Sequence, residues 1–158
     1  MLKGLFLSGA MFAASTAQAA QWQMFMPAGQ APNRTAWFID RSSVRLVGGD
    51  KRAWFQMINE TPDTKRIKSM KALIELDCAG KRSRFIAIEM FGEKGLLGQK
   101  ETPADWSYSA PDSPIETLSQ TVCTNNYGET ITANASPDIM AQAAFETLDN
   151  RGRVKHRR

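Results

Sequence analysis

Histidine is almost missing from this chain. Of 158 residues only His156 is one, and it lies in the terminal run RGRVKHRR. That removes a Ser-His-Asp or Cys-His mechanism of the usual kind and any histidine-rich metal site. Cysteine is nearly as scarce, with Cys78 and Cys123 alone. Their spacing is nothing like the C-x-x-C of reactive thiol pairs. Beyond the first twenty residues no segment approaches eighteen consecutive apolar residues, so no membrane-crossing helix is expected. The glycine-punctuated GEKGLLG (92–98) lacks the G-x-x-x-x-G-K-[ST] spacing that cradles phosphate, and reads as a hairpin loop. No metal and no cofactor are expected.

What is present begins with a leader. Lys3 supplies a short basic region, Gly4 to Ser15 an uncharged apolar run, and Ala17-Gln18-Ala19 a small-residue cleavage site. Residues 1–19 are therefore expected to be a signal peptide, leaving 139 residues, a common size for one domain. Export to the periplasm or beyond is the expectation. With no cysteine at the cleavage point, a lipid anchor made there is not.

The charge is uneven. Residues 151–158 carry five basic side chains and no acid, whereas 20–150 carry 14 basic against 16 acidic, a balance of −2. The net +4 thus belongs to the terminus, which reads as a solvated, disordered basic tail. Two cysteines in an oxidising compartment favour a bridge between Cys78 and Cys123. Two buried thiols or a redox pair are the rival readings.

Short β-rich runs follow one another from Gln21: WQMFM (22–26), TAWFID (35–40), SSVRLV (42–47) up to the turn Gly48-Gly49-Asp50, RAWFQMI (52–58), SMKALIELD (69–77) and RSRFIAIEMF (82–91). Adjacent short runs joined by tight turns predict an antiparallel meander of five to seven strands. The two central runs are apolar on both faces. Simple alternation sets Ile86, Ile88 and Met90 against Phe85, Ala87 and Phe91, so a helix or second protomer is expected on each side. The period then changes. Ser113-Pro114-Ile115-Glu116 is a capping box with proline in the first turn, and Ile115, Leu118, Val122 and Cys123 share one stripe. A bridge from Cys123 to Cys78 would pin that helix to the sheet. Ser136-Pro137-Asp138 opens a second helix, expected to run to about Asn150 with Gly152 beyond, its stripe Met140, Ala144 and Leu148 with Ala141 and Phe145 alongside. The fold class is α+β: an antiparallel sheet meander, a disulfide-tethered helix and an additional C-terminal helix.

Four stretches in order carry a resemblance: AWFIDRSSVRL (36–46), KALIELDCAGKRSRF (71–85), WSYSAPDS (106–113) and the helix ending TVC (121–123). Together they resemble the surface-adhesin protein E family of exported bacterial proteins over about residues 20–123. The resemblance implies an antiparallel sheet with a disulfide-tethered helix, and adhesion to extracellular proteins. The chain then divides into the leader, a protein E-like domain (20–124), a connector and helix (125–150), and the tail (151–158).

For function, Glu75, Asp77 and Glu89 beside Lys71, Arg82 and Arg84 read as cross-strand ion pairs rather than a catalytic dyad. Trp37, Phe38, Trp54 and Phe55 alternate between faces and read as core, not as a nucleic-acid stacking platform. The candidate contact residues are Lys81, Arg82 and Arg84 in a basic turn, and Trp106 and Tyr108 near prolines. The expectation is an exported, non-enzymatic binding module meeting a protein or an anionic envelope or matrix partner, with no nucleic acid. A small carboxylate-dependent hydrolase or lyase, or a periplasmic accessory subunit, stands as the alternative.

Overall fold

A computed structural model describes residues 19–101, 103–127 and 135–155, of which 150–155 contribute the helical path alone. All but the last residue of the expected leader, most of the connector and the last three residues of the tail lie outside the described residues.

The strands are β1 (Trp22–Ala28), β2 (Thr35–Asp40), β3 (Arg45–Val47), β4 (Asp50–Asn59), β5 (Ser69–Asp77), β6 (Arg82–Gly92), β7 (Gly95–Lys100) and β8 (Ser107–Tyr108). Helix α1 is Pro114–Thr124 and α2 is Pro137–Lys155. All described pairings are antiparallel, in the order β1-β2-β4-β5-β6-β7, with β3 on β4 and β8 on β6. The expected α+β class and disulfide-tethered helix are what the chain adopts.

Two positions in the meander are shared. β2 pairs with the 55–59 end of β4 and β3 with its 50–52 end, so β2 and β3 act as one interrupted strand. The interruption is a 3₁₀ turn over Arg41–Ser43, where the Asp40 carboxylate accepts from the Ser42 N–H and hydroxyl. That cap cuts the expected 42–47 strand down to 45–47, because a short acceptor before a serine pair satisfies the backbone locally. Along β6, β7 and β8 likewise share one edge. The expected hairpin loop at 92–98 is mostly strand: only Glu93 and Lys94 turn, Gly95 has φ +119°, and β7 pairs from Gly95 onward.

α1 sits on one face. Leu118 and Val122 pack with Ile39, Ala53, Phe55, Ala72, Ile74 and Leu76, all fully buried. Trp37 stacks on Phe55, which also meets Phe85, each with ring centres 6.0 Å apart. Phe85 shares this face with Ile88 because Leu73 pairs with Ala87 but Ile74 with Phe85, leaving Ile86 as a bulge. Alternation through 85–91 therefore fails at Ile86. The other face is covered by α2 over β1, β2 and β4, where Met140, Ala141 and Phe145 bury Ala36, Phe38 and Ile58.

α1 starts with the expected serine cap, but Glu116 reaches one residue further back than a capping box does, to Asp112, while the Ser113 N–H donates to the Ala110 carbonyl. The Ser113 hydroxyl accepts from the Glu116 N–H at 3.2 Å, and Glu116 reaches back to the Asp112 N–H at 2.6 Å. Its other end is held twice. Cys123 is bonded to Cys78, and Lys51 Nζ donates to the Val122 carbonyl (2.8 Å) and the Asn125 side chain (3.0 Å). A cation there also complements the helix dipole. α2 departs from expectation in two ways. Its path continues to Lys155, so 151–155 are helical rather than tail; one glycine costs about 1 kcal/mol relative to alanine and does not end a helix. Leu148 is exposed, and the buried stripe is Met140, Ala141 and Phe145.

Candidate functional site

The β5–β6 turn is built around one carboxylate. Asp77 Oδ1 accepts the Gly80 N–H at 2.7 Å, and Oδ2 accepts from Arg82 Nε and Nη2 at 3.1 and 2.6 Å. These donors, the Gly80 N–H foremost, hold Asp77 below its usual range. A Cβ on Gly80 would stand 2.3 Å from Asp77 Oδ2, so glycine is what lets the chain close on the carboxylate. The next residue, Lys81, turns through φ +53° and is exposed.

Two residues back on β5, Glu75 is 2% exposed between two arginines. Arg52 Nε donates at 2.8 Å and Arg84 Nε at 2.6 Å. Burial pushes the Glu75 carboxyl up, but the hydrogen bonds from Arg84 and Arg52 outweigh it and hold it below the ordinary 4.5. A depressed carboxylate stabilises the fold above its unfolded-state pKa, and that contribution is lost as pH falls through the folded value. Urea unfolding followed between about pH 3 and pH 6 is expected to show stability dropping below about pH 4.5, with a shallower drop in Glu75→Gln. An equally steep acid limb in that variant would assign the loss to other carboxylates.

The basic cluster is therefore divided. Arg82 and Arg84 spend their charge on Asp77 and Glu75, and stack at 5.3 and 4.5 Å from the centre of the Trp106 ring. Lys81 makes no ion pair among the described residues. Trp106 is half-buried over the arginines, whereas Tyr108, on the two-residue strand β8, is 75% exposed. A cleft of about 450 Å³ opens between the β5–β6 turn, β8 and α1. Lys81, Arg82 and Tyr108 line it with the Cys78–Cys123 bridge and with Glu116 and Gln120 of α1; Arg84 and Trp106 are not among its walls.

Sequence reasoning missed Arg52 as the second partner of Glu75, and it missed a whole cluster around Arg34. That guanidinium, 4% exposed, donates Nε to Glu60 Oε2 at 2.8 Å and pairs its Nη2 with Oε1. It also donates Nη1 to the Phe145 carbonyl and to Asp149 Oδ1, both at 2.9 Å, and lies 5.3 Å from the Phe145 ring centre. Hydrogen bonds from Arg34 hold Glu60 below its usual range. No local spacing announces this cluster. Its only signal is the β2–β4 register, which pairs Thr35 with Asn59 and so brings Arg34 beside Glu60.

The model of the surface-adhesin protein E family matches residues 8–124. The chain belongs to that family. The match takes in every strand, the disulfide and α1, and stops at the last residue of α1. This protein E family member carries α2 outside the matched region. The solved structure of Haemophilus influenzae protein E is similar at 18% identity, over 74% of this chain and 93% of that one, with a TM-score of 0.46. Protein E from non-typeable Haemophilus influenzae is similar at 18% identity, over 87% and 95%, with a TM-score of 0.43. No curated protein matches the chain.

Proposed function

We propose that this protein E family member is a non-enzymatic binding module of the bacterial envelope, working in the periplasm or after release, and that Lys81 and Tyr108 meet an acidic segment of a protein or matrix partner. The observation that carries this reading is the division of the basic cluster. Arginines already paired have little charge left for a partner, whereas an exposed lysine beside an exposed tyrosine on a cleft wall has both charge and contact area to give. The carboxylates support it too: Glu75 is not among the cleft walls and is paired with Arg52 and Arg84, while Asp77, which lines the cleft with Glu116, is engaged by Arg82 and the Gly80 N–H. Ile139 and Leu148, the exposed large apolar residues of α2 among those described, stand nine positions apart and so on opposite sides of the helix, which disfavours an accessory subunit docked through one face of it.

The test is surface plasmon resonance of the purified chain on immobilised basement-membrane extract. Saturable binding is expected, weakened roughly tenfold, about 1.4 kcal/mol, by Lys81→Glu with Tyr108→Ala. Unchanged binding in that variant would remove the cleft from the reading, and no binding by the parent protein would remove the adhesive module itself. Protease shaving of intact cells, with cleavage expected only after the outer membrane is permeabilised, separates a periplasmic protein from a displayed one.

A further inference from the structure

Three of the four tryptophans lie on the sheet face that α1 does not cover, Trp22 and Trp54 sharing Lys71 and Trp106 standing apart over Arg82 and Arg84. Trp22 comes from the start of β1, Trp54 from β4 and Trp106 from the segment before β8. Register puts Trp54 opposite Leu73, Arg52 opposite Glu75, and Glu75 opposite Arg84, all alternate to the positions that face α1. α2 packs on this face at β1, β2 and β4. Among the described residues, the apolar cluster under α2 includes no residue of β5 or β6.

The rings are fixed in place. Lys71 Nζ sits 5.6 Å from the Trp22 ring centre and 5.7 Å from that of Trp54, so one ammonium group stands between two indoles. Arg84 holds Trp106 from 4.5 Å while its guanidinium is tied to buried Glu75. Each of the three indoles is half-buried, so each keeps part of its ring in water. Large aromatic surface gathered from three separate segments and left wet marks a contact site more often than a failure of packing.

The chemistry between the rings selects the partner. A polyanion finds a single unpaired ammonium, Lys71, already held against Trp22 and Trp54, because Arg52, Arg82 and Arg84 are neutralised by Glu75 and Asp77. A purely apolar chain would strip water from Lys71 and from the Arg–Glu pairs without replacing their hydrogen bonds. A pyranose ring suits both parts. Its C–H face is apolar and lies flat on an indole, while its equatorial hydroxyls accept from Lys and Arg N–H groups and donate to carboxylate oxygen.

We propose that this face binds an uncharged glycan chain, with sugar rings stacked on Trp106 and Trp54. The site lies outside the cleft of Lys81 and Tyr108 and goes beyond the module reading given above. Titration calorimetry of the purified chain with chitohexaose, an uncharged β-1,4 hexamer, is expected to show saturable binding with a blue shift in tryptophan emission. Trp54→Ala and Trp106→Ala should each weaken it roughly tenfold or more, while Lys81→Glu leaves it unchanged. Trp106 precedes a two-residue edge strand, so its variant retains the fold even if Trp54→Ala does not; circular dichroism checks this. Absence of chitohexaose binding, binding that survives Trp106→Ala, or binding of heparin in its place would each overturn the proposal. Loss of glycan binding with matrix binding intact would leave the cleft reading standing.

Discussion

Replacing Cys78 and Cys123 together by alanine is expected to lower the unfolding free energy by about 4 kcal/mol in the chain-entropy view. The bridge closes a loop of 45 residues that spans β6, β7, β8 and most of α1. Without it the unfolded chain regains that freedom, while the native contacts of Leu118 and Val122 are still available to be made. Urea unfolding of the variant beside the oxidised parent measures the difference. A loss under about 1 kcal/mol would mean that helix packing and Lys51, not the covalent strap, hold α1. The pairing has its own check, since thiol labelling of the unfolded but unreduced protein should find no reactive cysteine.

Arg34→Ala is expected to cost about 3 kcal/mol, the lower end of the range for removing one partner of a buried ion pair. The lower end applies because the Glu60 side chain is 22% exposed and that of Asp149 45%, so water compensates part of the loss. The melting temperature should fall by about 10 °C. Arg34→Lys should rescue little, because an ammonium cannot offer the planar fork that meets Glu60, Asp149 and the Phe145 carbonyl together. The paired change Arg34→Met with Glu60→Leu should recover most of the stability, as the one charge it leaves without its partner, Asp149, has a side chain 45% exposed to water. If Arg34→Ala proves harmless to thermal unfolding, α2 is held by Met140, Ala141 and Phe145 alone.

What the sequence made legible was whatever is written locally. The serine cap at Ser113, the glycine turn at Gly48-Gly49, the β-rich runs and the two cysteines each carry their instruction within a few residues, and the sheet and the α1 strap follow from them. What it hid depended on register. Arg34 and Glu60 stand 26 positions apart and meet only because β2 lies against β4. Arg52 reaches Glu75 by the same route across β4 and β5. The basic turn was visible, but which of its cations keeps a charge to offer was not, since Asp77 and Glu75 claim theirs through folded geometry. β7 was hidden for another reason: glycines at 92, 95 and 98 read as loop, yet pairing to β6 supplies hydrogen bonds that outweigh their poor strand propensity.

The bulge at Ile86 gives β6 two reading frames. Before it, even-numbered residues (Arg82, Arg84) point to the polar face; after it, even-numbered Ile88 joins the core. Deleting Ile86 would remove the extra residue and restore a regular ladder with both halves still in phase, because Phe85 and Ala87 already lie on opposite faces beside the consecutive residues Ile74 and Leu73. A one-residue slide of the whole strand, by contrast, would turn Arg82 and Arg84 toward the core and Phe85 and Ile88 away from it. Among the described residues, Ile86 is thus the one position of β6 extra to its pairing with β5, and the place where that stretch of the strand can lose a residue and keep both faces.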